Sequence, residues 1–170
     1  MKRILLSLLL AVLAACSLAP AAFAASDGDT QAFTIPVTLT VAHSSKHINV
    51  TLPAAMPVSV LDGKVLTADN LQIQNHSDSM SVRVAEIAVT DGKFAVASYD
   101  SFSDGGTDQI ALQINGCSTV SSGPLRLSDT AFPLILPGGV LPIRYNAKVS
   151  SAGDAAGVNA ANVIFTLKAE

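Results

Sequence analysis

The sequence predicts an all-β fold: an antiparallel β-sandwich of about eight to ten short strands with Greek-key-like links. Two observations carry this. Apolar residues recur with period two in at least six separate runs, the signature of strands with one face on a core. Asp-Gly and Asn-Gly dipeptides fall between several of those runs, where they accept the positive φ angles of tight hairpin turns. The only candidate helical turn is Ala155 to Ala161, and Gly157 weakens it.

Taken in order, Phe33, Ile35, Val37, Leu39 and Val41 share a face opposite Thr34, Thr38 and Thr40. Ile48, Val50 and Leu52 form a second run, and Leu71 and Ile73 alternate with Gln72 and Gln74. Between Val82-Arg83-Val84 and Ile87-Ala88-Val89 the phase slips by one residue, which a bulge near Ala85-Glu86 would absorb. Asp62-Gly63, Asp91-Gly92 and Asn115-Gly116 mark turns, and the second of these predicts that Lys93 to Val96 fold back onto Ile87 to Val89. Ile110, Leu112 and Ile114 form a further run. Pro137-Gly138-Gly139 then breaks the chain before Ile143, Tyr145, Ala147 and Val149, and Val163, Phe165 and Leu167 close it.

Not all 170 residues belong to that domain. Lys2 and Arg3 precede an apolar stretch, and Ala22-Phe23-Ala24 has the small-x-small form of a signal-peptidase site. The expected organisation is a signal peptide over 1–24, a flexible tail over 25–31 and one domain over 32–170. Leu13-Ala14-Ala15-Cys16 offers a competing end to the leader, a lipobox in which Cys16 becomes the lipidated first residue and tethers the domain. After cleavage at Ala24, eight Lys and Arg face thirteen Asp and Glu, a net charge of −5. That balance argues against nucleic acid and anionic membrane surfaces, which require basic patches. Cys117 is then alone, so no disulfide framework or all-Cys zinc site is expected, and burial at a strand start is its expected role.

Catalytic signatures are missing. His43 and His47 flank a turn rather than lie on a helix, and no Glu follows His43 to complete a zinc-protease motif. There is no nucleophile elbow and no phosphate loop. Asp100, Asp104 and Asp108 lie in a Gly-containing loop that weakly resembles a calcium-binding segment, without the spacing or closing Glu of an EF-hand. Asn75-His76-Ser77 fits a glycosylation sequon, but a turn after Gln74 accounts for Asn75. Lys148, Asn162 and Glu86 are the residue types of an internal isopeptide bond; surface positions are the simpler expectation. No cofactor and no metal are expected.

Pro36 cannot donate to a ladder, so the Phe33–Val41 run is expected at a sheet edge or beside a bulge. An N-terminal strand on a tether can pair within its own sheet or add to a neighbour's. The segments Asn70 to Ser77, Val82 to Ile87, Ile143 to Lys148 and Asn162 to Leu167 resemble small surface proteins of Gram-positive, Firmicute-type bacteria. More distantly they resemble the TasA/camelysin type of biofilm-matrix β-sandwich, though its polar closing segment and final aromatic strand are missing. The resemblance implies a secreted, non-catalytic surface or matrix protein that associates with itself or another surface protein through an N-terminal strand. A monomeric adhesin or binding module for a peptide or cell-wall ligand is the alternative.

Overall fold

A computed structural model describes residues 30–41, 48–106, 108–150 and 157–170; of residues 30–33 and 41 it describes the backbone. Its thirteen strands are β1 (Thr30–Val41), β2 (Val50–Thr51), β3 (Ala55–Leu61), β4 (Lys64–Thr67), β5 (Leu71–Asn75), β6 (Val82–Asp91), β7 (Ala95–Val96), β8 (Gln109–Ile114), β9 (Cys117–Ser118), β10 (Gly123–Pro124), β11 (Val140–Ile143), β12 (Tyr145–Val149) and β13 (Ala161–Ala169). No helix occurs among the described residues, so the fold is all-β, as the alternation predicts. From Gly157 to Ala161 the chain makes a turn and then enters β13, which removes the helical candidate where it can be seen. The leader, Cys16, His43 and His47 lie outside the described residues. Thr30 and Gln31, expected in the tail, are already paired in β1 with Leu61 and Val60.

One six-stranded sheet runs β10-β6-β13-β1-β3-β4. Two smaller sheets, β11-β5-β2 and β12-β8-β7 with β9 beside β8, complete a sandwich-like arrangement. The strands bury one side and expose the other, as period two requires. Met56 and Val58 of β3, Val84, Ile87 and Val89 of β6, and Val163, Phe165 and Leu167 of β13 share one core with Ile73, Ile110, Leu112, Ile114 and Ile143 of the smaller sheets. Phe94 and Phe132, from connecting segments, are also buried there.

The phase slip in β6 is a bulge. Thr166 pairs with Glu86 and Leu167 with Val84, leaving Ala85 as the extra residue. It returns both apolar halves of β6 to the core side. Asp62-Gly63 and Asn115-Gly116 have φ of 50° and 72°, and of 45° and 83°, and close the tight β3–β4 and β8–β9 hairpins. Asp91-Gly92 does not make the expected fold-back. Instead β7 leaves β6 and runs parallel to β8, with Ala95 opposite Gln109. The Lys93 and Phe94 N–H groups donate to the Asn159 and Ala160 carbonyls at 2.8 and 3.0 Å, pinning the crossing from one layer to the other. Gly92 is required there by proximity: a Cβ would stand 2.7 Å from the Asn159 carbonyl oxygen.

Tyr145 of β12 ties the layers together. Its hydroxyl donates to the Pro57 carbonyl and accepts from the Ala68 N–H at 3.2 Å. Burial pushes the phenol above its ordinary value, while the Ala68 hydrogen bond acts in the opposite direction. A raised folded-state value means the folded chain holds the proton more tightly. This stability is fully present below the unfolded phenol value, about 10, and is lost as pH rises above it. Tyr145→Phe orphans two backbone groups and is expected to cost about 1–3 kcal/mol at neutral pH. Denaturant titrations from pH 8 to 11 should show the gap between wild type and variant narrowing above about pH 10.

Candidate functional site

Two places stand out, the seat of β1 and a cleft beside β11. The N-terminal half of β1 runs antiparallel to β3, from Thr30 opposite Leu61 to Pro36 opposite Ala55. Its C-terminal half runs parallel to β13, from Val37 opposite Val163 to Val41 opposite Leu167. The strand therefore lies inside the sheet and not at its edge, which corrects the edge-strand expectation for Phe33, Ile35, Val37, Leu39 and Val41. Pro36 marks the changeover. The Val37 N–H donates to the Ala54 carbonyl on the β3 side, so the Pro36 nitrogen faces β13. There the register steps by one residue, from Thr34 opposite Asn159 to Val37 opposite Val163. A residue without an N–H is tolerated at such an irregularity, which is the second of the two readings of Pro36. The Ala160 carbonyl beside it accepts from Phe94 instead. Ile35 is fully buried and Val37 packs half-buried on the core, whereas Leu39 is 40% exposed.

The cleft, of about 430 Å³, opens between the outer ends of β8, β11 and β12 and the 130–133 segment. Asn115 builds its floor. From the positive-φ turn its side-chain amide donates to the Ala131 and Pro142 carbonyls, both at 3.1 Å, and its carbonyl oxygen accepts the Arg144 N–H at 2.8 Å. Its own N–H donates to the Arg144 carbonyl at 2.8 Å. Pro142 has no N–H, so these bonds also close the outer side of the β11–β12 junction to a further strand. In the sequence Asn115 carries only the signal of a turn residue. A left-handed position admits Gly, Asn or Asp, and only the amide both donates and accepts. A second hollow of about 230 Å³ shares Pro133 and Leu141 with the cleft and reaches Leu136 and Val140.

The remaining candidates are placed as follows. Asp100, Asp104 and Asp108 are exposed, and no group of three metal-ligating side chains forms among the described residues. Asp100 accepts from the Ser118 hydroxyl at 3.2 Å, and Asp108 sits at φ 53° with its carbonyl bonded to the Ala95 N–H. Cys117 is buried at the start of β9. Lys148 and Asn162 lie in different sheets with separate partners. Lys148 donates to the Tyr99 carbonyl at 2.8 Å and stands over its ring, while Asn162 donates to the Asp91 carbonyl at 3.0 Å. Asn75 is fully buried at the end of β5, with its amide directed at three backbone carbonyls. Comparison with protein-family models, curated proteins and solved structures finds no match. Among the described residues no helix is long and apolar enough to cross a membrane.

Proposed function

We propose that this chain is a secreted bacterial surface or extracellular-matrix protein without catalytic activity, whose copies associate by exchanging β1. The supporting observation is the place of β1: it bonds β3 on one side and β13 on the other, and joins what would otherwise be two separate sheets. Among the described residues it is the first strand, and β2 follows it in the chain. Every hydrogen bond it makes can be made by the same strand of a second copy, so exchange conserves the contacts and costs mainly association entropy. Exchange around a ring closes an oligomer; exchange that does not close extends a filament.

Light scattering on the chain from Ala25 to Glu170 tests this. A mass that rises with concentration, and falls when excess Thr30–Val41 peptide competes for the seat, is the expected result. One monomer mass at every concentration contradicts it. A second reading, a monomeric module that binds a peptide or cell-wall ligand, is favoured by the cleft at Asn115 and Arg144 and would then take first place.

A further inference from the structure

The cleft has one cation and no anion in its lining. Arg144 is fixed at its backbone by Asn115 on both its N–H and its C=O, yet its side chain is exposed and forms no ion pair among the described residues. The ion pairs seen there belong to Arg83 and Lys168. Asn146, two residues along the same face, is exposed with no side-chain hydrogen bond among the described residues. Its cross-strand partner Gln113 donates to the Ser118 hydroxyl at 3.2 Å, which leaves the Gln113 carbonyl oxygen available as an acceptor. One end of the cleft thus offers a guanidinium fork and an amide. The other is apolar, and leads past Pro133 and Leu141 to Leu136 and Val140, which are 61% and 47% exposed.

We propose that this cleft binds an extended peptide by its C-terminal carboxylate. The carboxylate sits on Arg144 and Asn146, and the apolar side chains before it lie along Pro133 and Leu141 toward Val140. A single Arg matches a carboxylate in charge and in its two-pronged geometry, whereas a phosphate carries about −1.5 to −2 and calls for more than one cation. The cleft of about 430 Å³ shares Pro133 and Leu141 with the second hollow of about 230 Å³, and room of that size favours a chain over a small acid. Glu170 is held elsewhere, its N–H donating to the Ser81 carbonyl and its side chain pairing with Arg83 and Lys168, so it is not the residue seated in the cleft. This inference names a ligand class for the binding-module reading and does not depend on exchange of β1.

Calorimetric titration of the chain from Ala25 to Glu170 with N-acetyl-Ala-Pro-Leu, its C-terminal amide and N-acetyl-leucine tests it. The free acid is expected to bind at least about tenfold more tightly than the amide, the scale of a charge-assisted contact. Arg144→Gln should remove that preference, while Arg126→Gln, outside the cleft, should leave it intact. Asn146→Ala should weaken the acid alone. N-acetyl-leucine binding as tightly as the tripeptide acid would overturn the peptide assignment. Equal binding of acid and amide, no binding of either, or an unaffected Arg144→Gln variant would overturn the site. Failure here leaves the light-scattering result unchanged, and the converse also holds.

Discussion

Replacing Ile35 with Ala is expected to lower stability by about 2–5 kcal/mol, the range for emptying a closely packed core position. Ile35 is fully buried and lies opposite Met56, also fully buried, on the antiparallel half of β1. The lost contacts lie where one strand joins two half-sheets, so the neighbours have little freedom to collapse into the gap. A small domain has only about 5–15 kcal/mol in total, so the loss is a large fraction of it. Ile35→Asp should go further and keep β1 from its seat, because an unpaired carboxylate would have to be buried. Thr38→Ala, on the exposed face two residues into the parallel half, is the control and should stay within about 0.5 kcal/mol. Urea unfolding of the three variants decides it, with the midpoint moving and the slope conserved. A wild-type midpoint for Ile35→Ala would mean that β1 is not packed as described.

Asn75→Ala is expected to cost about 2–4 kcal/mol, and it does so through hydrogen bonds rather than volume. The Asn75 amide donates to the Met80 carbonyl at 2.8 Å and to the Ile135 and Leu136 carbonyls at 3.1 Å. Its oxygen accepts the Ser77 N–H at 3.0 Å. One side chain thereby shapes the turn after β5 and fastens it to the segment where Ile135 exchanges two backbone hydrogen bonds with Val82. Truncation leaves the buried Ser77 N–H and the Met80 carbonyl without this partner, and strips the Ile135 and Leu136 carbonyls of their second donor, Val82 and Gly139 N–H remaining. Asn75→Asp keeps the shape but points a carboxylate at three carbonyl oxygens. Its folded-state pKa must rise, so the variant should be least impaired at low pH and lose stability as pH climbs above the ordinary aspartate range, about 3.9. Thermal unfolding of the Ala and Asp variants at pH 3.5 and 7 separates the two effects. The same burial leaves the Asn75 amide no room for a glycan in the folded protein.

What the sequence made legible was local. Alternation marked the strand faces, the slip at Ala85 marked a bulge, and Asp62-Gly63 and Asn115-Gly116 marked two hairpins, because each depends on residues a few positions apart. Pairing between distant segments was not legible. Nothing in Thr30 to Val41 reports that half of it runs beside β3 and half beside β13, so Pro36 leaves edge and bulge open, and only the pairing shows that it marks an irregularity at a change of partner. Asp91-Gly92 looked like a hairpin turn because Asp-Gly usually is one. Its glycine serves a close approach to Asn159, a residue from the far end of the chain. Asn75, Asn115 and Tyr145 act on carbonyls and amides many residues away, so their identities carried no more than turn or strand propensity. The cleft at Arg144 arises where three strands end together, and no contiguous motif encodes it.

Mixed cross-linking tests whether a second copy can supply β1. Thr38 and Ile164 are register partners on β1 and β13, away from the core. In a Cys117→Ser background beginning at Ala25, one preparation carries Thr38→Cys and another Ile164→Cys. The two are mixed, incubated at high concentration and oxidised. Exchange predicts a covalent dimer containing one chain of each kind, and a ladder of covalent multimers from the Thr38→Cys/Ile164→Cys double variant. Absence of the mixed dimer, with the double variant forming only its internal disulfide as a monomer, would contradict the claim.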